Sequence, residues 1–392
     1  MPFAAETVCS LAICFAGPLS RPALSARCGK SNKEVRPMRI EEIDRRFRSE
    51  TAIQEDITWF DVRQAPFSLF GIQYDEGQGC FVRLPQAVAD AVSPGVSWLN
   101  RHTAGGRVCF QTDSPLIAIE AQLDYPGIMP HMPLVGQSGF DLYRNSGEGD
   151  RYLATFMPPP AWQDSYGASA RTGGGPAAYT VHFPLYNGVK ALYIAIQKGA
   201  SLAAAHPYVD APPIVFYGSS ITQGGCASRP GNSYEAILSR RLHRDHVNLG
   251  FSGSCRAEPA MADYLAALPM SAFVCDYDHN APHAEHLRQT HLPLYRAVRR
   301  GHADIPIVFM SAPDIRLRGG EWEERRAIIR ATYQEALAEG DRRVWFVDGE
   351  TLFAGEEWDA CTVDGCHPND LGFFRMAMGV EGPLQAALSA GR

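Results

Sequence analysis

Asp364 and His367 stand three residues apart in the stretch VDGCHPNDLG (363–372), with Pro368 after the histidine and an apolar, helix-like run beyond. A carboxylate held that close to an imidazole can fix its tautomer and stabilise its charged form, so the pair is a base in search of a nucleophile. A plainer reading competes with this one: Asp364 as a helix cap, since Asp is favoured there, and His367 as a surface histidine. A candidate nucleophile stands far upstream. Ser220 lies in FYGSSITQGG (216–225), where an apolar run breaks into a Gly-rich turn. Turn or cap roles for Ser219, Ser220 and Thr222 are the plain alternative. A phosphate loop is disfavoured, because neither G-K-[ST] nor G-x-G-x-x-G is present. Gly253 in NLGFSGSC (248–255) could offer a backbone N–H, and Asn280 in DYDHNAP (276–282) a side-chain amide. Each reads equally as a turn residue. Together they are the set that acyl transfer requires: a serine, a base with its orienting carboxylate, and donors for an oxyanion. The cap reading of Asp364 accounts for none of the other three.

Such a set needs elements that bring distant residues to one place. Residues from about 55 to 200 alternate with period two, as at Ile117, Ile119, Ala121 and Leu123. Gly, Pro and Asp turn signals separate the segments, and a β-sandwich (jelly-roll-like) is expected. RTGGGPAA (171–178) reads as a loop tip. After the Pro-rich HPYVDAPP (206–213) the pattern changes. Five short apolar runs, IVFYG, VNLG, AFVCDY, IPIVFMSA and VWFVDG, alternate with amphipathic helical segments. That alternation predicts a parallel sheet covered on both faces, a flavodoxin-like three-layer α/β/α domain. Ligands in such domains sit at the carboxyl ends of the strands, which is where Ser220, Gly253 and Asn280 fall. The expected division is an extension at 1–37, a sandwich at 38–205 and the α/β domain at 206–392.

Composition bounds the rest. A chain of 392 residues with 45% apolar and 20% charged residues suits a soluble protein of two domains. The net charge of −7 shows no basic stripe for nucleic acid, and no run nears the ~20 apolar residues that span a bilayer. Of ten cysteines, Cys9, Cys14 and Cys28 lie in the N-terminal stretch. Cys109, Cys255 and Cys275 lie in or beside apolar segments, as buried thiols do. Reduced thiols and a cytoplasmic protein are therefore expected, with export as the alternative. Cys361, Cys366 and His367 would need a second Cys/His pair at zinc spacing, so no metal and no cofactor are expected. TVCSLAICFAG has the apolar length of a signal core but no preceding Lys or Arg. Residues 1–37 are expected to be disordered or mis-assigned, with Met38 as the natural start.

These motifs resemble the SGNH, or GDSL-type, hydrolases over roughly residues 212–392. GSSIT resembles the family's first block, with Ser219 where Asp is more usual. Gly253 matches the second block, Asn280 the third, and DGCHPND the fifth. The third block departs from the common G-x-N-D form, reading YDHNAP. GFDLYR (139–144) resembles the GxDLY motif of a β-sandwich that precedes such domains in one subgroup. The residue reading of Asp141 and Tyr143 is a buried pair holding the sandwich together, with an interface role as the alternative. The resemblance implies a serine esterase: Ser220 as nucleophile, His367 as base and Asp364 as its orienting acid. The Ser220 and Gly253 N–H groups and the Asn280 side chain would form the oxyanion hole. In some relatives the carboxylate matters less, which implies a milder loss for Asp364→Asn than for Ser220→Ala or His367→Ala. Similar sandwich-bearing proteins resemble carbohydrate deacetylases, and no long apolar lid is visible. The expected substrate is a small acyl ester, acetyl first, of a carbohydrate or other polar alcohol. A short-chain lipolytic or aryl esterase is the alternative within this chemistry, and a carbohydrate-binding protein the alternative outside it. Neither nucleic acid nor a membrane is an expected partner; a homo-oligomer is a prior only.

Overall fold

The period-two segments become two packed antiparallel sheets in the computed structural model, which describes residues 56–145, 149–159, 161–318 and 320–389. The expectations for residues 1–37 and Met38 lie outside those residues. One sheet runs in the order Ile57–Asp61, Val189–Gln197, Leu116–Leu123, Ser165–Arg171. The other runs Leu202–Ala203, Arg107–Thr112, Ala177–His182, Phe140–Asn145, Asp150–Phe156, with Ser68–Phe70 also on Arg107–Thr112. In Leu116–Leu123 the expected Ile117, Ile119, Ala121 and Leu123 are buried while Glu120 and Gln122 face out. They meet Phe110, Phe140, Val181 and Phe183 of the facing sheet in one core.

The front half also contains helices that strand periodicity does not suggest, at Gln86–Val92, Pro94–Leu99 and Leu134–Ser138. Ala89, Val92, Val96 and Leu99 recur at helical spacing and are buried. Between the first two, the Ser93 hydroxyl accepts from the Val96 N–H at 3.2 Å and Pro94 takes the first helical position. Their apolar faces join the core that holds Met261 and Leu265 of the back half. They are thus covered by the partner half rather than by the sandwich.

In the back half, five parallel strands lie in the order His246–Gly250, Ile214–Gly218, Ala272–Asp276, Ile307–Met310, Val344–Val347. Val215, Tyr217, Phe273 and Phe309 point into one core beneath the helices Pro259–Ala267, Ala284–Gly301 and Glu321–Ala338. Phe216, Val274, Val308 and Met310 point into the other, under Tyr234–Leu242 and Asp370–Ser389. Both faces are dry, which is why the strands read as unbroken apolar runs. The seven described cysteines carry free thiols. Among the described residues, no helix is long and apolar enough to cross a membrane.

Candidate active site

Strand register brings the site together. Gly218 lies level with Gly250 on one side and Asp276 on the other. The loops that follow these three residues therefore leave the sheet at the same height, carrying Ser220, Gly253 and Asn280. A Cβ on Gly218 would come within 2.0 Å of Thr222 Oγ1 and 2.3 Å of the Asp276 carbonyl, so the chain can turn there only as glycine. Ser219 then caps the short helix Ser220–Gln223: its hydroxyl accepts from the Ile221 N–H at 3.1 Å. Serine thus does at this position what Asp also does well. Ser220 opens that helix, where backbone N–H groups have no partner within the helix.

His367 faces Ser220 from the loop after the last strand. Ser220 Oγ lies 2.9 Å from His367 Nε2, and His367 Nδ1 lies 2.8 Å from Asp364 Oδ2. A proton on Nδ1 satisfies both contacts, since Nδ1–H then donates to Asp364 and the serine hydroxyl to Nε2. Asp364 Oδ1 also accepts from the backbone N–H groups of Cys366 (3.0 Å) and His367 (2.8 Å). Burial would raise the Asp364 carboxyl, but these bonds and the His367 ring outweigh it and hold its pKa below the usual value. The helix Asp370–Ser389 has another cap: the Asn369 side chain accepts from the Gly372 N–H at 3.1 Å.

Gly253 has φ +68°, and an added Cβ would meet nothing within 4 Å, so handedness rather than space selects glycine. Asn280 Oδ1 accepts from the Cys255 N–H at 3.2 Å and so ties its own loop to that of Gly253. Asp276 and Asp278 are buried. Asp276 accepts from Thr222 Oγ1 at 3.0 Å and Asp278 from the Ala312 N–H at 2.9 Å. Burial, then the neighbouring Asp278, push the Asp276 carboxyl up to about 8, against the opposing pull of His279, Thr222 and Tyr234. A separate cavity of about 650 Å³, beside Asp150, Arg240, Asp370 and Glu381, includes none of the five expected site residues.

Two family models match the chain. The GDSL-like lipase/acylhydrolase family matches residues 211–385, and the GxDLY N-terminus of SGNH-type esterases matches residues 57–202. The chain belongs to the SGNH/GDSL-type hydrolases. It is a carboxylic ester hydrolase of the GxDLY-bearing kind. A GDSL-like protein from Bacteroides ovatus is 26% identical, with a TM-score of 0.77 over 85% of this chain and 98% of its own. The salicylyl-acyltransferase SsfX3 from a tetracycline biosynthetic pathway shares the fold at 18% identity and TM-score 0.69, over 84% and 97% of the two chains. A family two carbohydrate esterase from Cellvibrio japonicus shares it at 12% identity and TM-score 0.56, over 85% and 98%. Comparison with functionally curated proteins finds no match.

The GxDLY half of this SGNH/GDSL-type hydrolase supports the site with residues that motif reading did not single out. Tyr186 OH donates to the Ser220 carbonyl at 2.9 Å. Gln223, on the Ser220 helix, donates to His102 Nδ1 and the Leu185 carbonyl at 3.1 Å each, and accepts from the Ser252 N–H at 3.0 Å. Burial, then the charges of Arg83 and Arg101, bring His102 down to about 3, which keeps it a neutral acceptor. Arg83 reaches the Gly250 carbonyl at 2.5 Å and the Leu99 carbonyl at 2.6 Å, and lies over the Phe251 ring. Asp141 belongs to the interface as well as to the sandwich. Its Oδ2 accepts from the Gly231 N–H at 2.9 Å and from Arg229 at 3.1 Å, and Tyr143 OH contacts Arg229. Both readings of the motif hold: Asp141 Oδ1 lies 2.9 Å from His182 Nδ1 within the sandwich, while the motif's acid and phenol also hold the segment that follows the Ser220 helix. No sequence signal marked Tyr186, His102 or Arg83, because their partners, the Ser220 carbonyl, the Gln223 side chain and the Gly250 carbonyl, lie far along the chain.

Proposed function

We propose that Ser220, His367 and Asp364 hydrolyse esters through an acyl-enzyme. The observation that carries this is the continuous relay at 2.9 and 2.8 Å from the Ser220 hydroxyl to the Asp364 carboxylate. His367 Nε2 takes the hydroxyl proton as Oγ attacks the ester carbonyl. Asp364 holds the Nδ1–H tautomer and stabilises the imidazolium. The tetrahedral oxyanion is received by the N–H groups of Ser220 and Gly253 and by the Asn280 amide, whose Oδ1 is occupied by Cys255. The imidazolium returns its proton to the leaving alcohol. Water, deprotonated by the same nitrogen, then attacks the acyl-enzyme and frees Ser220.

An acetyl ester of a carbohydrate or other polar alcohol is the substrate class we favour. His131, a polar residue, is what the sandwich places beside His367, and proteins of this fold include the carbohydrate esterase of Cellvibrio japonicus and an acetyl xylan esterase from Butyrivibrio proteoclasticus. The test is kcat/KM for p-nitrophenyl acetate, butyrate and octanoate beside acetylated mono- and oligosaccharides. Values that fall with chain length, and turnover of the acetylated sugars, are expected. Values that rise with chain length would instead favour the lipolytic alternative.

A further inference from the structure

His131, Cys226 and His367 meet where the sandwich reaches the site. Each can offer one ligand atom, and the three atoms lie within 4.8 Å of one another. The His131 and His367 rings are 5.6 Å apart between centroids, and the Cys226 thiol lies 3.4 Å from the His131 carbonyl. Cys226 is buried with φ 75°, a left-handed conformation that residues other than glycine rarely adopt. Such outliers cluster at functional positions. Ester hydrolysis as described uses neither this thiol nor His131.

We propose that His131, Cys226 and His367 form a zinc-binding site, and that zinc bound there reversibly switches the hydrolase off. A thiolate with two imidazoles is a donor set that selects zinc over magnesium or calcium, and three ligands leave a fourth position for water. His367 Nδ1 is held by Asp364, so the metal takes Nε2, the nitrogen that otherwise receives the Ser220 proton. Binding breaks the serine–histidine hydrogen bond, occupies the base's lone pair and releases the Cys226 thiol proton to solvent. Of the two other such groups among the described residues, His279, Asp314 and Cys366 is a poorer cation site because the Arg318 guanidinium already sits on Asp314, and Asp276, Asp278 and His279 offers no thiolate.

The switching half of this inference rests on the reading of Ser220 and His367; the binding half does not. Chelator-treated protein is titrated with cobalt(II), a spectroscopic substitute for zinc, and the thiolate-to-cobalt charge-transfer absorption is followed. The rates of p-nitrophenyl acetate hydrolysis and of fluorophosphonate labelling are then measured with and without zinc. Wild type is expected to show the absorption at one cobalt per chain, to lose it to zinc, and to be slowed by zinc and restored by chelator. Cys226→Ala should lack the absorption. Cys226→Ala and His131→Gln should each weaken zinc binding by more than the roughly 10–100-fold that losing an outer-sphere partner costs. Cys366→Ala should keep the absorption. No thiolate absorption in folded wild type would overturn the proposal, as would its loss in Cys366→Ala and survival in Cys226→Ala. Zinc sensitivity unchanged in both the Cys226 and His131 variants would also overturn it. Absorption as expected, but no labelling of metal-free protein, would support the metal site and sink the reading of Ser220 as the nucleophile instead.

Discussion

At the scale of residues, the competing roles of Asp364 resolve by hydrogen bonding. Asn369 caps the last helix, which leaves Asp364 with three bonds to its own loop and to the His367 ring. Ser220→Ala and His367→Ala are each expected to lower kcat by about 10⁴-fold or more. Asp364→Asn would present an amide N–H to Nδ1 and favour the wrong tautomer. A loss approaching ~10⁴ is now expected for it, larger than the resemblance implied. Asn280→Ala should cost about 10²–10³ in kcat, as losing one oxyanion donor does. Steady-state kinetics on purified variants of matched far-UV circular dichroism check all four. These residues were legible because their types and their places at strand ends are local signals. The residues behind them were not: Tyr186 touches a backbone carbonyl, and nothing in a tyrosine's neighbours along the chain announces that.

At the scale of elements, five apolar runs with helices between them were enough to read the parallel sheet. The order and register that level Gly218 with Gly250 and Asp276 are contacts between distant segments. The helices Gln86–Val92 and Pro94–Leu99 escaped because they are short, lie among strands, and bury their faces in the other half. The sheet end has a measurable electrostatic consequence at Asp276. Its folded pKa of about 8 lies above the ordinary Asp value, so between about pH 4 and 8 the folded chain keeps a proton that the unfolded chain releases. That contribution to stability is fully present below the unfolded pKa and is lost as pH rises through the folded one, at roughly 1.4 kcal/mol per unit. Asp276→Asn cannot ionise. Urea denaturation at pH 5.5 and pH 8 is expected to show a decline in wild type that is smaller in the variant.

At the scale of the whole molecule, the two halves share cores and hydrogen bonds. Leu84 and Val96 pack with Met261, and Asp141 secures Gly231, where a Cβ would come within 2.8 Å of its carboxylate. GxDLY was legible as a motif, but its function was not, since the Gly231 and Arg229 partners lie in the other half of the chain. Asp141→Ala takes the acceptor away from the buried Gly231 N–H and the partly exposed Arg229, and is expected to cost roughly 1–3 kcal/mol of stability by chemical denaturation. The same distance effect hid the meeting of His131, Cys226 and His367, because spacing rules for metal sites look for ligands close in sequence.

The whole reaction depends on Ser220 being an activated nucleophile. Intact mass after treatment with a fluorophosphonate, wild type beside Ser220→Ala, reads that out in one step. One adduct on wild type and none on the variant is the expected result. Folded wild type without an adduct, or an adduct that persists in Ser220→Ala, would contradict it.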